Sequence, residues 1–276
     1  MATQVLQDRV TIDVADGVAD VRLARPDKMN AVDGAMFAAL IDAGDAVRAD
    51  PSIRAVVLSG EGRGFCAGLD LTSFQAMSDG PRRSGGEPLL DAGDRITSRA
   101  QQAVYTWTDL PIPVIAAVHG PALGAGFQLA LGADIRFIHP EASMSVLEIR
   151  WGLIPDMTGS QMLTRLVGLD LAKELVWTGR MVPGTECVEI GLATHLSSDP
   201  RADALELATE ISRKSPDAIR GGKRLVSMAG QVSLAEGFAA EAATMASLIG
   251  SPNQTESVKA WFDKRDPDYA DPEPDA

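Results

Sequence analysis

Two glycine-rich turns contain the residues of this chain that are best placed to do chemistry. The first, residues 62–72, follows an apolar segment at 55–59 and turns through Gly64 and Gly68. The second spans residues 120–126. A strand that ends in such a turn leaves backbone N–H groups without a partner in the sheet. Two such donors that point at one place stabilise a developing oxyanion, so the pair of turns predicts an oxyanion hole.

The segments that must position these turns alternate between strands and helices. Alternating hydrophobicity around Asp16-Gly17 predicts a β-hairpin, and helical spacing predicts a helix over 35–47. Short apolar runs at 55–59, 114–118 and 134–138 predict buried strands. Strands that alternate with helices indicate an α/β fold.

The C-terminal part has a different pattern. From residue 200 to 262 the spacing is almost wholly helical, with breaks near Ser215-Pro216, Gly230 and Ser251-Pro252. We therefore divide the chain into an α/β core, residues 1–198, and a C-terminal helical module, residues 199–276. The acidic, proline-rich tail from residue 266 is expected to be frayed, and the Gly-, Pro- and Ser-rich segment 77–88 is expected to be a mobile loop.

Composition limits the kinds of partner that this chain can have. Its 276 residues are 45% hydrophobic and carry a formal net charge of −13, which argues against nucleic acid and anionic membranes as partners. The two cysteines lack metal-ligand spacing and fit a reducing compartment. No signal peptide or long apolar span is evident, so we expect a soluble cytoplasmic protein.

Three segments together resemble the crotonase superfamily, which contains the enoyl-CoA hydratases and isomerases. They are residues 65–71 (FCAGLDL), 117–126 (AVHGPALGAG) and 148–155 (EIRWGLIP). The similarity begins at residues 25–31 (RPDKMNA), ends at residues 261–265 (WFDKR) and thus covers nearly the whole chain. It implies the ββα spiral core of that superfamily, followed by a helical oligomerisation module.

The resemblance identifies the two donors of the oxyanion hole. Members of the superfamily bind the carbonyl of an acyl-CoA thioester between two backbone N–H groups, which by motif position belong here to Leu69 and Ala125. The segment 127–131 reads as a helix, so Ala125 would lie near a helix N-terminus, where free N–H groups favour an enolate oxygen. The family usually has glycine at the position of Ala125, but alanine keeps the N–H group.

The acid/base positions depart from the hydratase pattern. Hydratases of the family use two glutamates; the second is present as Glu148, and the first is replaced by Gln128. A neutral amide cannot accept a proton at neutral pH, although it can orient a water molecule. Loss of one carboxylate typically costs about 10²–10⁴-fold in rate, so the resemblance to a plain hydratase is incomplete at this position.

A second carboxylate, Asp156, follows Glu148 by eight residues. Dienoyl-CoA isomerases of the family have functional acids at this pair of positions, and two carboxylates in unlike environments can move a proton along a conjugated chain. Helix capping is the alternative for this region, because residues 158–161 (TGSQ) also read as a capping box before a helix at 162–167.

Further residues are implied in binding the CoA part of the substrate. Lys28 and Lys264 match positions that contact the nucleotide end, and Phe262 is expected either to pack on the ligand or to be an ordinary core aromatic. The remaining candidates are Ala31, Ala67, Asp70, Leu71 and Gly124. No metal or redox cofactor is expected, since CoA is part of the substrate.

The leading hypothesis is an acyl-CoA enzyme of the hydratase/isomerase type that stabilises a thioester enolate. Hydration, dienoyl-CoA isomerisation by Glu148 and Asp156, and hydrolysis of a CoA ester remain open within it. A non-catalytic acyl-CoA-binding protein is the alternative from another class. The family's helical C-terminal segments imply a homotrimer or a dimer of trimers, and apolar residues at 234, 238 and 245 fit either such an interface or packing within the chain.

Overall fold

The computed structural model describes residues 3–72 and 96–272 and confirms an α/β fold. The predicted loop at 77–88 and the start of a helical segment expected from residue 89 lie outside the described residues. The described strands are β1 (Gln4–Leu6), β2 (Val10–Ala15), β3 (Val18–Leu23), β4 (Ala55–Gly60), β5 (Val114–Val118), β6 (Pro121–Leu123), β7 (Ile135–Ile138), β8 (Ser143–Ser145), β9 (Val182–Pro183) and β10 (His195–Leu196).

Ten α-helices and two short 3₁₀ helices connect these strands in the described part of the chain. The α-helices are α1 (Gly34–Ala49), α2 (Arg99–Thr108), α3 (Ala125–Leu131), α4 (Gly159–Val167), α5 (Leu169–Thr178), α6 (Gly184–Glu189), α7 (Pro200–Ser212), α8 (Pro216–Met228), α9 (Leu234–Leu248) and α10 (Pro252–Asp263). The 3₁₀ helices span Pro26–Lys28 and Leu147–Trp151. None of the described helices is long and apolar enough to cross a bilayer.

A seven-stranded sheet forms the centre of the molecule, in the order β1-β2-β3-β4-β5-β7-β10. Its first three strands are antiparallel, and the turn between β2 and β3 places both Asp16 and Gly17 at positive φ, as the hairpin prediction requires. From β3 onward the neighbours are parallel. Because β4 and β5 are adjacent and parallel, the turns that follow them lie at the same edge of the sheet.

Apolar side chains fill both faces of this sheet. The larger core packs β2–β5 against α1, α2 and α3, with Trp107, Phe65 and Phe127 among its fully buried side chains. The opposite face is covered by α7, whose Ala204 and Ala208 pack on β4 and β5. Both faces of β4 and β5 are therefore covered, which explains why these strands are apolar without alternation.

The C-terminal helices begin and end at the predicted breaks. Helix α7 lies after residue 198 but packs on the sheet of the α/β core. The division of the chain into two parts at residue 198 stays a prediction. The expectation of a frayed tail is wrong as far as residue 271. The side chain of Asn253 exchanges two hydrogen bonds with the backbone of Ala270, and Arg54 donates to the carbonyl of Tyr269 at 2.8 Å, which ties this segment to the core.

Candidate active site

The turns that follow β4 and β5 are in direct contact. Cys66 donates its N–H to the carbonyl of Pro121 at 3.0 Å and accepts the N–H of Leu123 at 3.0 Å. Gly68 has a φ of +96°, and a Cβ atom there would lie 2.8 Å from the carbonyl oxygen of Leu123. A Cβ atom on Gly126 would lie 2.3 Å from the carbonyl oxygen of Cys66. Two backbones approach this closely only because both positions are glycine.

This contact leaves the N–H groups of Leu69 and Ala125 available. The carbonyl of Val32 accepts the N–H of Asp70, and the N–H of Val32 donates to the carbonyl of Gly68. These two hydrogen bonds engage the residues before and after Leu69 and leave the Leu69 N–H out. Ala125 is the first residue of α3, where an N–H has no acceptor within the helix. Neither N–H donates a hydrogen bond within residues 3–72 and 96–272. The oxyanion hole at these two N–H groups stays a prediction.

Asn30 holds the first turn in place, a role that we did not predict from the sequence. Its side chain is fully buried and donates to the carbonyls of Glu61 at 2.9 Å, Gly64 at 2.9 Å and Phe65 at 3.2 Å. Its Oδ1 accepts the N–H of Arg25 at 2.9 Å. The residue adopts a φ of 56°, which asparagine tolerates better than most residues do. The sequence feature that could have pointed to Asn30 is its position in residues 25–31 (RPDKMNA).

Glu148 and Gln128 lie beside the second turn. A Cβ atom on Gly124 would lie 3.4 Å from Oε1 of Glu148, so the carboxyl adjoins the residue that precedes Ala125. Gln128 is fully buried, and its Nε2 donates to Oε1 of Glu148 at 2.6 Å. Oε1 of Gln128 accepts the N–H groups of Met157 at 2.8 Å and Gly159 at 3.0 Å. The structure therefore joins Gln128 to Glu148.

The surroundings of Glu148 make its carboxyl a weaker acid than an ordinary glutamate. Burial raises the pKa of this carboxyl, and the charge of Asp156 raises it further, against the hydrogen bonds from its own N–H and from Gln128. Oε2 of Glu148 is buried and has no hydrogen-bond partner in the described part of the chain. A carboxyl with a raised pKa and one free oxygen is suited to proton transfer near neutral pH.

Asp156 lies close enough for its charge to act on Glu148, but its own surroundings differ. It retains access to solvent, and partial burial raises the pKa of its carboxyl. The predicted capping box at 158–161 is wrong. Thr158 has a left-handed φ of 74° and its side chain caps nothing, while the amide of Gln161 donates to Ser160 instead of the backbone. Helix α4 consequently begins at Gly159, three residues earlier than predicted.

The small and basic candidates for CoA binding lie around the first turn. Lys28 ends an exposed 3₁₀ helix, and Leu71 is 67% exposed just beyond the oxyanion-hole turn. Ala67 donates its N–H to Met29, which connects the turn to the Lys28 segment. Ala31 accepts a hydrogen bond from Arg25 through its carbonyl, and Gly124 donates its N–H to the carbonyl of Ser145.

The Asp70 side chain is engaged within the protein. Its carboxylate accepts hydrogen bonds from the backbone and hydroxyl of Thr72 and forms a 2.6 Å ion pair with Arg25. These contacts lower the pKa of Asp70 to about 2, the Thr72 hydrogen bonds being the largest cause. The structure thus gives this carboxylate a role in holding the first turn.

Phe262 and Lys264 are not near Glu148 within one chain. They lie at the end of α10, where Phe262 is 78% exposed and Lys264 is the helix cap. The segment after α10 contacts Arg54, which precedes β4, whereas the glycine turns follow the other end of that strand. Their part in CoA binding stays a prediction.

An apolar rim lies beside the carboxylates. The 3₁₀ helix that carries Glu148 continues into Trp151, Leu153 and Ile154, which are 45%, 42% and 71% exposed. The ring of Trp151 lies 5.9 Å from the guanidinium of Arg150. Within residues 3–72 and 96–272, no three His, Cys, Asp or Glu side chains are grouped to hold a metal ion. The structure thus places a buried carboxyl next to the second glycine turn and in chain continuity with exposed apolar residues.

Comparisons with known proteins agree with this geometry. The family model for enoyl-CoA hydratase/isomerase matches residues 13–272. The chain is 32% identical over 260 residues to human mitochondrial methylglutaconyl-CoA hydratase, covering 92% of this chain and 74% of that protein. It is 32% identical over 254 residues to a putative enoyl-CoA hydratase of Thermus thermophilus, covering 91% of this chain and 97% of the relative.

Solved structures show the same fold. A putative enoyl-CoA hydratase from Streptomyces coelicolor A3(2) superposes with a TM-score of 0.86 at 34% identity, covering 99% of this chain and 98% of that one. Enoyl-CoA hydratase from Bacillus anthracis gives 0.85 at 30% identity, covering 95% of this chain and 98% of that one. The predicted crotonase-like core and C-terminal helical region are confirmed. This chain belongs to the enoyl-CoA hydratase/isomerase family of the crotonase superfamily.

Proposed function

We propose that the chain moves a double bond in an unsaturated acyl-CoA by proton transfer at Glu148. The thioester carbonyl accepts the N–H groups of Leu69 and Ala125, which stabilise the enolate oxygen. Glu148 removes a proton from one carbon, and the electron pair of that C–H bond becomes part of the enolate. One proton is delivered to another carbon of the conjugated system, either by Glu148 itself or by Asp156, which then regains a proton as Glu148 loses its own, so that the substrate has no net gain or loss.

The observation that carries this proposal is the bond from Gln128 to Glu148. The backbone N–H groups of Met157 and Gly159 donate to Oε1 of Gln128, so the amide nitrogen faces the Glu148 carboxyl and donates to it at 2.6 Å. An amide nitrogen in this position cannot serve as the second base that hydration requires. Double-bond migration needs only one group that first accepts and then donates the proton, which Glu148 supplies.

Asp156 is the second acid in this proposal. It keeps access to solvent, and its charge is felt at Glu148. In a dienoyl-CoA the two ends of the conjugated system are several bonds apart, so a second carboxyl can serve the end that Glu148 does not reach. A dienoyl-CoA is therefore the substrate for which both carboxyls are useful.

Hydration is the second candidate, because the relatives include proteins named as hydratases. Here Glu148 and Asp156 would hold a water molecule between them and add it across an enoyl double bond. Asp156 would then replace the glutamate that is absent at Gln128. The named substrate of the human relative makes methylglutaconyl-CoA a reasonable compound to assay.

Binding of the CoA part is assigned to both ends of the chain. Lys28 is exposed and would meet a phosphate, while Phe262 and Lys264 would come from a neighbouring copy. Helix α9 exposes Leu234, Phe238 and Met245 to 76%, 62% and 59%, which is apolar surface that an oligomer would bury. We propose a homotrimer or a dimer of trimers in the cytoplasm, with no cofactor besides the CoA of the substrate.

A spectrophotometric assay tests these candidates. Purified protein is given crotonyl-CoA, methylglutaconyl-CoA and a 3,5-dienoyl-CoA, as wild type and as Glu148→Gln, Gln128→Glu and Asp156→Asn. The proposal expects isomerisation of the dienoyl-CoA that Glu148→Gln and Asp156→Asn each reduce by about 10²–10⁴-fold. Hydration is expected to be slow in wild type and to increase in Gln128→Glu.

Three results would contradict the proposal. Rapid hydration by wild type would favour the second candidate. Release of free CoA would indicate thioester hydrolysis. Tight binding of acyl-CoA without any turnover, unchanged by Glu148→Gln, would indicate a binding protein that has lost its chemistry.

A further inference from the structure

A turn of three residues, Met157, Thr158 and Gly159, has a conformation that its sequence does not explain. Thr158 has a φ of 74° and a ψ of −12°, in the left-handed region that branched residues rarely adopt. Its hydroxyl is buried and has no hydrogen-bond partner among the described residues. The side chain of Thr158 therefore gives no local reason for the strain, and outliers of this kind often belong to a functional site.

The strained conformation directs two backbone N–H groups to one oxygen. Met157 and Gly159 donate to Oε1 of Gln128 at 2.8 Å and 3.0 Å, and the Gln128 side chain is fully buried. Consecutive peptides around a left-handed residue form a concave site of this type for oxygen atoms. A Cβ atom on Gly159 would lie 2.6 Å from the same Oε1, so this turn fits the amide only if residue 159 is glycine.

The 157–159 turn thereby determines which way the Gln128 amide faces. Two N–H donors can be satisfied only by the amide oxygen, so the NH₂ group must point toward Oε1 of Glu148, 2.6 Å away. An NH₂ group donates and cannot accept, so Oε1 of Glu148 must be the acceptor, and the carbonyl oxygen of a carboxylic acid accepts better than its hydroxyl oxygen. This hydrogen bond therefore favours a proton on Oε2, which is buried without a partner among the described residues.

We propose that Thr158 and Gln128 are positioning residues that favour the proton of Glu148 on its Oε2 atom. They act through hydrogen bonds and do not touch the substrate; only the use of that proton in catalysis rests on the proposed function. Among residues 3–72 and 96–272, Asp156 is the charged group whose charge raises the pKa of Glu148, while Arg150 on the same 3₁₀ helix lies over Trp151. Neither replaces the hydrogen bond from Gln128.

Titration of Glu148 without substrate tests this inference. The full-length protein is labelled with ¹³C at the glutamate carboxyls, and the Glu148 signal is assigned by its absence in Glu148→Gln. In Gln128→Met the carboxylate loses its donor, and its pKa is expected to rise by about one unit. Gln161→Met, which removes an exposed amide from α4, is the matched control and is expected to leave the Glu148 pKa unchanged.

Changes in the turn separate positioning from a general loss of structure. Thr158→Gly adopts positive φ without strain and is expected to keep the wild-type pKa of Glu148. Thr158→Pro fixes φ near −65°, and Gly159→Ala pushes against Gln128, so each is expected to raise the pKa as Gln128→Met does. Adding either change to Gln128→Met should produce no further shift, and circular dichroism verifies that each variant is folded.

The outcomes distinguish this inference from the proposed function. An unshifted Glu148 pKa in Gln128→Met, or in every folded turn variant, would overturn the inference even if the enzyme isomerises acyl-CoA. The predicted shifts in a protein that turns over no enoyl-CoA would support positioning and refute the proposed function. In an active enzyme, the lower limb of the pH profile of kcat/KM should move upward together with the NMR titration.

Discussion

Replacing Gly68 with alanine tests the contact between the two turns. The new methyl group would lie 2.8 Å from the carbonyl oxygen of Leu123, a backbone atom that cannot rotate away. Gly68 also has a φ of +96°, which an alanine adopts only with strain. The first effect costs about 1–3 kcal/mol by analogy with overpacked cores, and the second costs about 1–3 kcal/mol. We expect the free energy of unfolding to fall by about 2–6 kcal/mol.

Gly152→Ala is the matched control for the strain. Gly152 has a φ of +71°, but a Cβ atom there would meet nothing within 4 Å. This variant should lose only the conformational part, about 1–2 kcal/mol. The difference between the two variants therefore measures the clash with Leu123, expected to be about 1–3 kcal/mol.

Urea unfolding at one protein concentration measures both variants, since an oligomer unfolds in a concentration-dependent way. Crotonyl-CoA or dienoyl-CoA turnover is measured in parallel, because Gly68 precedes the Leu69 donor. Displacement of one oxyanion-hole donor costs about 10²–10³-fold in kcat. If Gly68→Ala destabilises the protein no more than Gly152→Ala does, the two turns are not in direct contact, and the shared oxyanion hole is refuted.

Three further substitutions test the surrounding groups. Glu148→Gln should increase stability near pH 7, because burial raises the pKa of Glu148 and so disfavours its charged form in the folded protein. In thermal melts, the added stability of this variant should disappear at pH values below the ordinary glutamate pKa. Asp70→Asn should lower stability by about 1–2 kcal/mol at pH 7, because the folded-state pKa of Asp70, about 2, lies below the ordinary aspartate value. In denaturant melts, the stability difference between wild type and this variant should disappear as the pH falls toward 2. Asn30→Ala leaves three buried carbonyls without their donor and should cost about 3 kcal/mol or more in urea unfolding.

Much of the fold could be predicted because local patterns and long-range packing agree. The strand at Val114–Val118 was predicted with its observed bounds, since five successive apolar residues after Pro113 have few alternatives. The breaks between the C-terminal helices follow from proline and glycine in the same way. Tertiary contacts overruled composition in the tail, where two hydrogen bonds from Asn253 hold Ala270 in a segment that reads as disordered.

The candidate site could be predicted less completely, because its geometry depends on contacts between distant segments. Leu69 and Ala125 were assigned from motif position in the family resemblance, and their role as donors stays a prediction. Asn30 was not, because its three acceptors lie 31–35 residues away, and no local pattern links them. The capping box at 158–161 was predicted wrongly because the sequence pattern assumes that Thr158 has the extended backbone of an N-cap, whereas its φ is 74°.

The correction at Thr158 also changes the meaning of Gln128. From the sequence alone, a glutamine in place of a glutamate is the loss of a base, with an amide that can still orient a water molecule. In the structure, both ends of its amide are engaged, and the N–H groups at 157 and 159 decide that the nitrogen faces Glu148. A glutamate at this position would present an oxygen to the Glu148 carboxyl, and the two acids would have to share a proton. The glutamine removes that competition, so the substitution that argues against ordinary hydration also leaves a single carboxyl, in which the hydrogen bond from Gln128 favours a proton on Oε2.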